Sequence, residues 1–206
     1  MRELNVQPIF PIGVNHSVLD REFTKEEISF FQKCRDSTIK NSGNYSGNSF
    51  TKNTHLLDES EMETLKSELM LSVKHYAHNV LLIEETIEPY ITISWINFTG
   101  KNQSHHKHYH PNSYISGVFY IDVDEKKDYI TFFNGYEPAI IPSFKERNLF
   151  NSNSWSFEAK NKLLLLFPSY IQHEVFVKQD DNIRISLSFN VFFKGNIGEL
   201  LTELKL

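Results

Sequence analysis

The sequence holds a single cysteine, Cys34, so no internal disulfide can form, and a reducing cytoplasm is the expected setting. No stretch is long and apolar enough to span a bilayer, and the opening Met1-Arg-Glu-Leu-Asn lacks the apolar core of a secretory signal; no membrane association is expected. An excess of positive charge is also missing. With 21 Lys and Arg against 26 Asp and Glu, the formal net charge is −5, which leaves no electrostatic footprint for nucleic acid. Internal repeats, low-complexity tails and a linker are absent too, so the 206 residues read as one domain, 1–206. What the chain does have is phenylalanine, 17 residues of it, in a composition that is 40% hydrophobic: an aromatic-rich, mainly β globular protein.

Residues 6–14, with Pro8 and Pro11, read as an edge strand, because proline removes ladder donors from a central one. Thr24 and Glu27 form a capping box that starts a helix from Lys25 to Ile39, with Ile28, Phe31 and Ile39 on its apolar stripe. The small polar stretch Asn41 to Asn53 reads as a connecting loop. Asp58 with Glu61 offers a second N-cap, and Met62, Leu65, Leu69, Val73, Tyr76 and Val80 carry an amphipathic stripe that packs on a sheet.

From Pro89 the hydrophobic period changes to two. Strands are expected at Tyr90–Phe98, Tyr114–Asp122, Tyr129–Phe133, Ala139–Ile141, Ser154–Phe157, Lys162–Phe167, His173–Val177 and Ile183–Phe193, and a short helix at Gly198–Leu206. The charged run from Asp124 to Asp128 reads as a solvated hairpin tip. Many short strands after two helices predict a β-sandwich or small barrel flanked by helices. The chain thus divides into an N-terminal strand and two helices (1–88), a β core (89–193) and a tail (194–206).

Four of the nine histidines fall together, at His105, His106, His108 and His110. Residues i and i+2 of an extended segment point the same way, so His108 with His110, or His106 with His108, can offer two imidazoles to one point. Two nitrogens do not close a transition-metal site, and the histidine beyond the cluster is His173. His75 and His78, one helical turn apart, have no third partner and read as helix-end histidines; His16 and His55 sit in loops. On the strand that follows His173, Arg184, Ser186, Ser188 and Asn190 share one face. That face either meets solvent or lines a site.

The order His108-x-His110-Pro111, Ser116-Gly117-Val118-Phe119-Tyr120, Phe167-Pro168-Ser169, His173, then Arg184-Ile-Ser186-x-Ser188-Phe189-Asn190 resembles the Fe(II)/2-oxoglutarate-dependent oxygenases over residues 95–192. Phe119 stands where a tyrosine is expected. The resemblance implies a double-stranded β-helix, a cupin-like jelly roll, packed by the two N-terminal helices. It implies Fe(II) held by His108, His110 and His173, with 2-oxoglutarate and O2 as co-substrates. Decarboxylation to succinate would then be coupled to oxidation, most simply hydroxylation, of an unknown small molecule or protein side chain. Arg184 is the expected partner of the distal carboxylate, since a planar guanidinium grips it bidentately, with Ser186 beside it. Tyr120, Tyr114 and Ser116 share one strand face and are candidates for the same pocket, as is Asn102 near the His-x-His pair.

His110 departs from the wider superfamily, which carries Asp or Glu at that position. Either three imidazoles form the site, or a water or a distant carboxylate completes it. Three neutral ligands leave Fe(II) its full double charge, which favours an anionic co-substrate. Two other readings stay open: a cupin-type three-histidine metalloenzyme that does not use 2-oxoglutarate, and a non-enzymatic jelly-roll binding protein whose histidines scavenge metal. A homo-oligomer is compatible with all three.

Overall fold

Two antiparallel sheets pack face to face, and helices cover the outer side of the larger one. The structure is a computed structural model that describes residues 5–41, 47–136 and 139–206. The strands are β1 (Asn15–Val18), β2 (Thr38–Lys40), β3 (Ser49–Thr51), β4 (Glu88–Thr99), β5 (His105–His108), β6 (Ile115–Asp122), β7 (Tyr129–Phe133), β8 (Ser154–Glu158), β9 (Leu163–Pro168), β10 (Gln172–Val175), β11 (Arg184–Lys194), β12 (Asn196–Ile197) and β13 (Leu204–Lys205). The large sheet runs β1-β9-β6-β11-β4-β3-β2 and the small one β5-β10-β7-β8, while β12 and β13 pair by themselves. This is the expected double-stranded β-helix, mostly β, with α1 (Lys25–Asp36) and α2 (Glu63–His75) outside it.

The alternation of side chains builds two cores from the same central strands. On β6, β9 and β11 the residues Phe119, Leu164, Leu166, Leu187, Phe189 and Val191 turn outward and meet Phe31, Met62, Leu65, Leu69 and Val73 of the helical layer. Each side chain buried this completely contributes about 1.5–3 kcal/mol. The opposite faces send Val118, Tyr120, Leu165 and Phe167 inward against Ile130 and Phe132 of the small sheet. Gly117 is required opposite Phe189 of β11, because the Phe189 ring lies over it and a Cβ there would be 2.1 Å from its Cζ.

Thr24 caps α1 as expected. Its hydroxyl accepts from the Glu27 backbone N–H at 3.1 Å, and the Glu27 carboxylate accepts from the Thr24 N–H at 2.9 Å. Glu27 is fully buried because Arg21 pairs with it.

Several boundaries differ from expectation. Residues 6–14 form no strand; the edge strand is β1, displaced to Asn15–Val18, beyond the prolines. Helix α1 stops at Asp36 rather than Ile39, because Thr38–Lys40 leaves to pair with β3, and Ile28 and Ile39 are exposed. The stretch 41–53 is not merely loop. Ser49–Thr51 is β3, which pairs with β4, and residues 42–46 lie outside the described residues. Asp58 and Glu61 sit in two 3-10 turns that precede α2, and Val80 leaves the buried stripe at a closing π turn. Residues 139–141 are not a strand, and the tail holds only the 3-10 turn Leu200–Thr202 between β12 and β13. On β4 the period of two is broken. Asn190 opposes Ile93 and Val191 opposes Ile91, so Thr92 is an extra residue, and the bulge turns Trp95, Asn97 and Thr99 inward. Among the described residues no helix is long and apolar enough to cross a membrane.

Candidate metal centre

The small sheet sets two of the imidazoles opposite each other, since His173 on β10 is in register with His108 on β5. His110 follows β5, and its backbone N–H donates to the Ser169 carbonyl at 2.9 Å, which fixes the chain where the third ring must sit. The ring centroids lie 4.3 Å (108–173), 5.1 Å (110–173) and 5.2 Å (108–110) apart, and one nitrogen from each falls within 4.8 Å of the others. Among the described residues no carboxylate joins the group.

Each outer nitrogen is tied to an oxygen. Nδ1 of His108 meets the His106 carbonyl at 2.7 Å, Nδ1 of His173 meets the Ile171 carbonyl at 3.1 Å, and Nδ1 of His110 meets Oδ1 of Asn190 at 2.5 Å. A carbonyl oxygen only accepts, so every Nδ1 carries the proton and every Nε2 presents a lone pair. Nε2 of His108 and Nε2 of His110 are 3.3 Å apart, two acceptors with no proton between them. Bonds of about 2.1 Å from both to one ion span that gap, so the donor set fits a divalent metal. Burial holds the imidazoles neutral: His108 is pushed down to about 4, and His110 and His173 are also lowered, His173 well below the ordinary histidine range.

The supports of His110 come from Asn190, Ser169 and Trp95, to which the sequence assigns no role, and from Ser116, expected in the co-substrate pocket. Ser116 donates to Oδ1 of Asn190 at 3.3 Å, and its hydroxyl also meets that of Ser169 at 2.8 Å. Trp95 stacks on the His110 ring at 5.9 Å.

A cavity between the sheets joins the three histidines to Arg184, Ser186, Tyr120, Thr99, Ile130 and Val175. The Arg184 guanidinium is buried. It donates to Oγ1 of Thr99 at 3.1 Å and to Asp128 at 3.4 Å, while Lys178, equally buried, reaches the same carboxylate at 3.2 Å. Two cations therefore face one carboxylate in a dry setting, and a second anion is accommodated there without further cost in charge. Burial pushes the Arg184 guanidinium downward, and it raises the Tyr120 phenol, so that group acts as a hydrogen-bonding hydroxyl.

Asp128 corrects the reading of 124–128 as a solvated tip, for it is 3% exposed. Neither it nor Lys178 stands out in the sequence. Asn102 lies in an exposed turn with a left-handed backbone (φ 63°), and its N–H donates to the Lys178 carbonyl; its side chain does not line the cavity. Tyr114 is half exposed on the outer surface, and Ser116 supports Asn190 instead of facing Arg184. His78, in the closing π turn, bonds through Nδ1 to the Ile83 carbonyl of the chain that leaves the helix, at 3.0 Å.

The fold and this site have counterparts. Residues 93–190, just under half of the chain, match the family model described as "Putative 2OG-Fe(II) oxygenase". No match was found among curated proteins. Among solved structures, the epimerase SnoN in complex with Fe3+, alpha ketoglutarate and nogalamycin RO is 13% identical, with 88% of this chain and 79% of that one covered at a TM-score of 0.59. HygX from Streptomyces hygroscopicus with nickel, 2-oxoglutarate and hygromycin B bound is 14% identical, covering 87% and 82% at 0.55. A prolyl-4-hydroxylase from Pseudomonas putida is 12% identical, covering 87% and 92% at 0.53. At such identities the structures speak for the fold. The family match spans all three imidazoles and the guanidinium, and by it this chain is similar to the 2OG-Fe(II) oxygenases.

Proposed function

We propose that His108, His110 and His173 hold Fe(II) through Nε2, and that Arg184, with Ser186 and Tyr120 beside it, takes the distal carboxylate of 2-oxoglutarate. The enzyme is then an oxygenase that oxidises a C–H bond of a neutral small molecule, in a reducing cytoplasm where the lone buried thiol Cys34 stays reduced. The observation that carries this is the pairing of three converging lone pairs with the Arg184 guanidinium in a single cavity, the guanidinium being backed by the buried Asp128 and Lys178 pair. A three-histidine enzyme without 2-oxoglutarate has no use for the second half of that arrangement.

When bound, the iron with 2-oxoglutarate and O2 supplies the oxidising power, coupled to loss of CO2 and formation of succinate. The protein's part is orientation and exclusion of water. Asn190, Ser116 and the His106 and Ile171 carbonyls hold the imidazoles in one tautomer, and Phe132 and Phe167 wall His173 at 5.8 and 4.9 Å. Asp128 keeps the guanidinium aimed. Asn48, Trp95, Asn97 and Ser188 line the cavity near His110 with uncharged groups. They support a neutral substrate entering there.

The test is anaerobic titration of the Mn(II)-loaded protein with 2-oxoglutarate, followed by assay of succinate with Fe(II) and air. Saturable binding lost in Arg184→Ala is expected. No binding at millimolar 2-oxoglutarate overturns the reading.

A further inference from the structure

Strand β5 carries a defect with a purpose. Its register against β10 pairs His108 with His173 and His105 with Val175, so His106 and Lys107 together oppose Glu174 alone. That is a β-bulge, and it reverses the alternation: His105 and His108, three residues apart, project to the same side. The expected partnership of His106 with His108 does not form at the centre; His106 is exposed. The two rings that do share a side stack at 4.2 Å, with 16° between their planes, and His105 lines the cavity together with His108, Val175 and Arg184.

His105 lies outside the three-nitrogen group, so it is not needed to close a metal site. Among the described residues neither of its ring nitrogens has a hydrogen-bonding partner, and neither is fully buried. A largely buried imidazole without a protein partner wants one from a ligand.

We propose that His105 is a co-substrate-binding residue, whose ring N–H donates a hydrogen bond to a carboxylate oxygen of 2-oxoglutarate lying between the three histidines and Arg184. The proposal rests on the function proposed above and adds a neutral ring donor to the cationic guanidinium. A neutral imidazole suits the task, since it contributes a directed bond without adding a third cation beside Lys178 and Arg184.

The experiment is calorimetric titration of 2-oxoglutarate into Mn(II)-loaded parent, His105→Phe, His105→Gln and Arg184→Ala proteins, with Mn(II) affinity measured separately in each. His105→Phe keeps the ring's shape and stacking but has no donor. It is expected to bind 2-oxoglutarate roughly tenfold or more weakly, with Mn(II) affinity within about twofold of the parent. His105→Gln restores an N–H and should recover most of the loss.

A phenylalanine variant that binds 2-oxoglutarate like the parent, while Arg184→Ala does not, overturns the role of His105 and leaves the function intact. A parent that does not bind 2-oxoglutarate overturns both. Loss of Mn(II) affinity in both His105 variants, or equal 2-oxoglutarate losses in both, also overturns the proposal. If the phenylalanine variant does not fold, the ring resonances of 15N-histidine in the Zn(II)-loaded parent decide: a shift at His105 on adding 2-oxoglutarate supports the bond, and none at saturation overturns it.

Discussion

The two faces of β11 obey opposite rules. Ile185, Leu187, Phe189 and Val191 point outward into an apolar core that the helices complete, so every atom on that side finds its partner within the chain. Arg184, Ser186, Ser188 and Asn190 point inward, where protein alone satisfies them only in part: the guanidinium shares one carboxylate with Lys178, and Asn190 holds a histidine whose Nε2 faces another lone pair. One face is finished by folding and the other by ligands. Stability should therefore be sensitive on the first face and indifferent on the second, with binding the reverse.

The largest effect expected on the outer face is from Phe189→Ala, which empties the site packed against Gly117 and should lower unfolding free energy by about 3–5 kcal/mol, read by urea denaturation. On the inner face His173→Ala should abolish tight Mn(II) or Fe(II) binding in calorimetry, because two nitrogens remain, with the melting temperature of the metal-free protein little changed. A His173→Ala protein that unfolds outright would break the division between the faces.

Arg184→Ala comes next. It should leave metal affinity intact and weaken 2-oxoglutarate by roughly 100-fold, the consequence of leaving a buried carboxylate without its charged partner. Asn190→Ala is smaller and sharper. It removes the acceptor that sets the His110 tautomer, and should cost about 10–100-fold in metal affinity with 2-oxoglutarate binding to the loaded protein retained. Equal losses for Asn190→Ala and Asn190→Asp would mean that the acceptor oxygen is not what matters.

Much of the inner face is legible in sequence because it obeys a period. His108 with His110, and Arg184 with Ser186, Ser188 and Asn190, are spaced by two, and the spacing survives folding. Where the period breaks, the sequence is silent. Nothing in His105-His-Lys-His108 announces a bulge, since the extra residue is fixed by the partner strand, and so His106 looks better placed than His105. Thr92 hides a second bulge in the same way. Asp128 and Lys178 are invisible for another reason: a carboxylate in a charged turn and a lysine in a loop are solvated in most proteins, and only the third buried charge, Arg184, turns them inward. The edge strand is misplaced because the prolines that suggest an edge also leave no N–H to donate, and the chain pairs only after them, at Asn15–Val18.

The smallest expected effect is a pH dependence that separates the faces without any substitution. His105 and His108 are held down, to about 3 and about 4, chiefly by burial and also by neighbouring imidazoles. In the unfolded chain each binds a proton near pH 6.5, whereas in the metal-free fold they stay neutral until far lower pH. The unfolded state therefore binds more protons between those values, so stability is complete above about pH 6.5 and is lost as the pH falls toward 4 and 3. A bound metal holds the nitrogens of His108, His110 and His173 deprotonated in the folded state, so the loaded protein should share this slope down to about pH 4 and stay steep below it, where His108 of the metal-free fold begins to take up a proton. Replacing His105 and His108 by glutamine should flatten the melting temperature of the metal-free protein between pH 6.5 and 4, while Phe189→Ala should lower the whole curve without changing its slope. A slope untouched by the histidine replacements would show that the acid sensitivity arises elsewhere, and the inner face would then be as self-sufficient as the outer one.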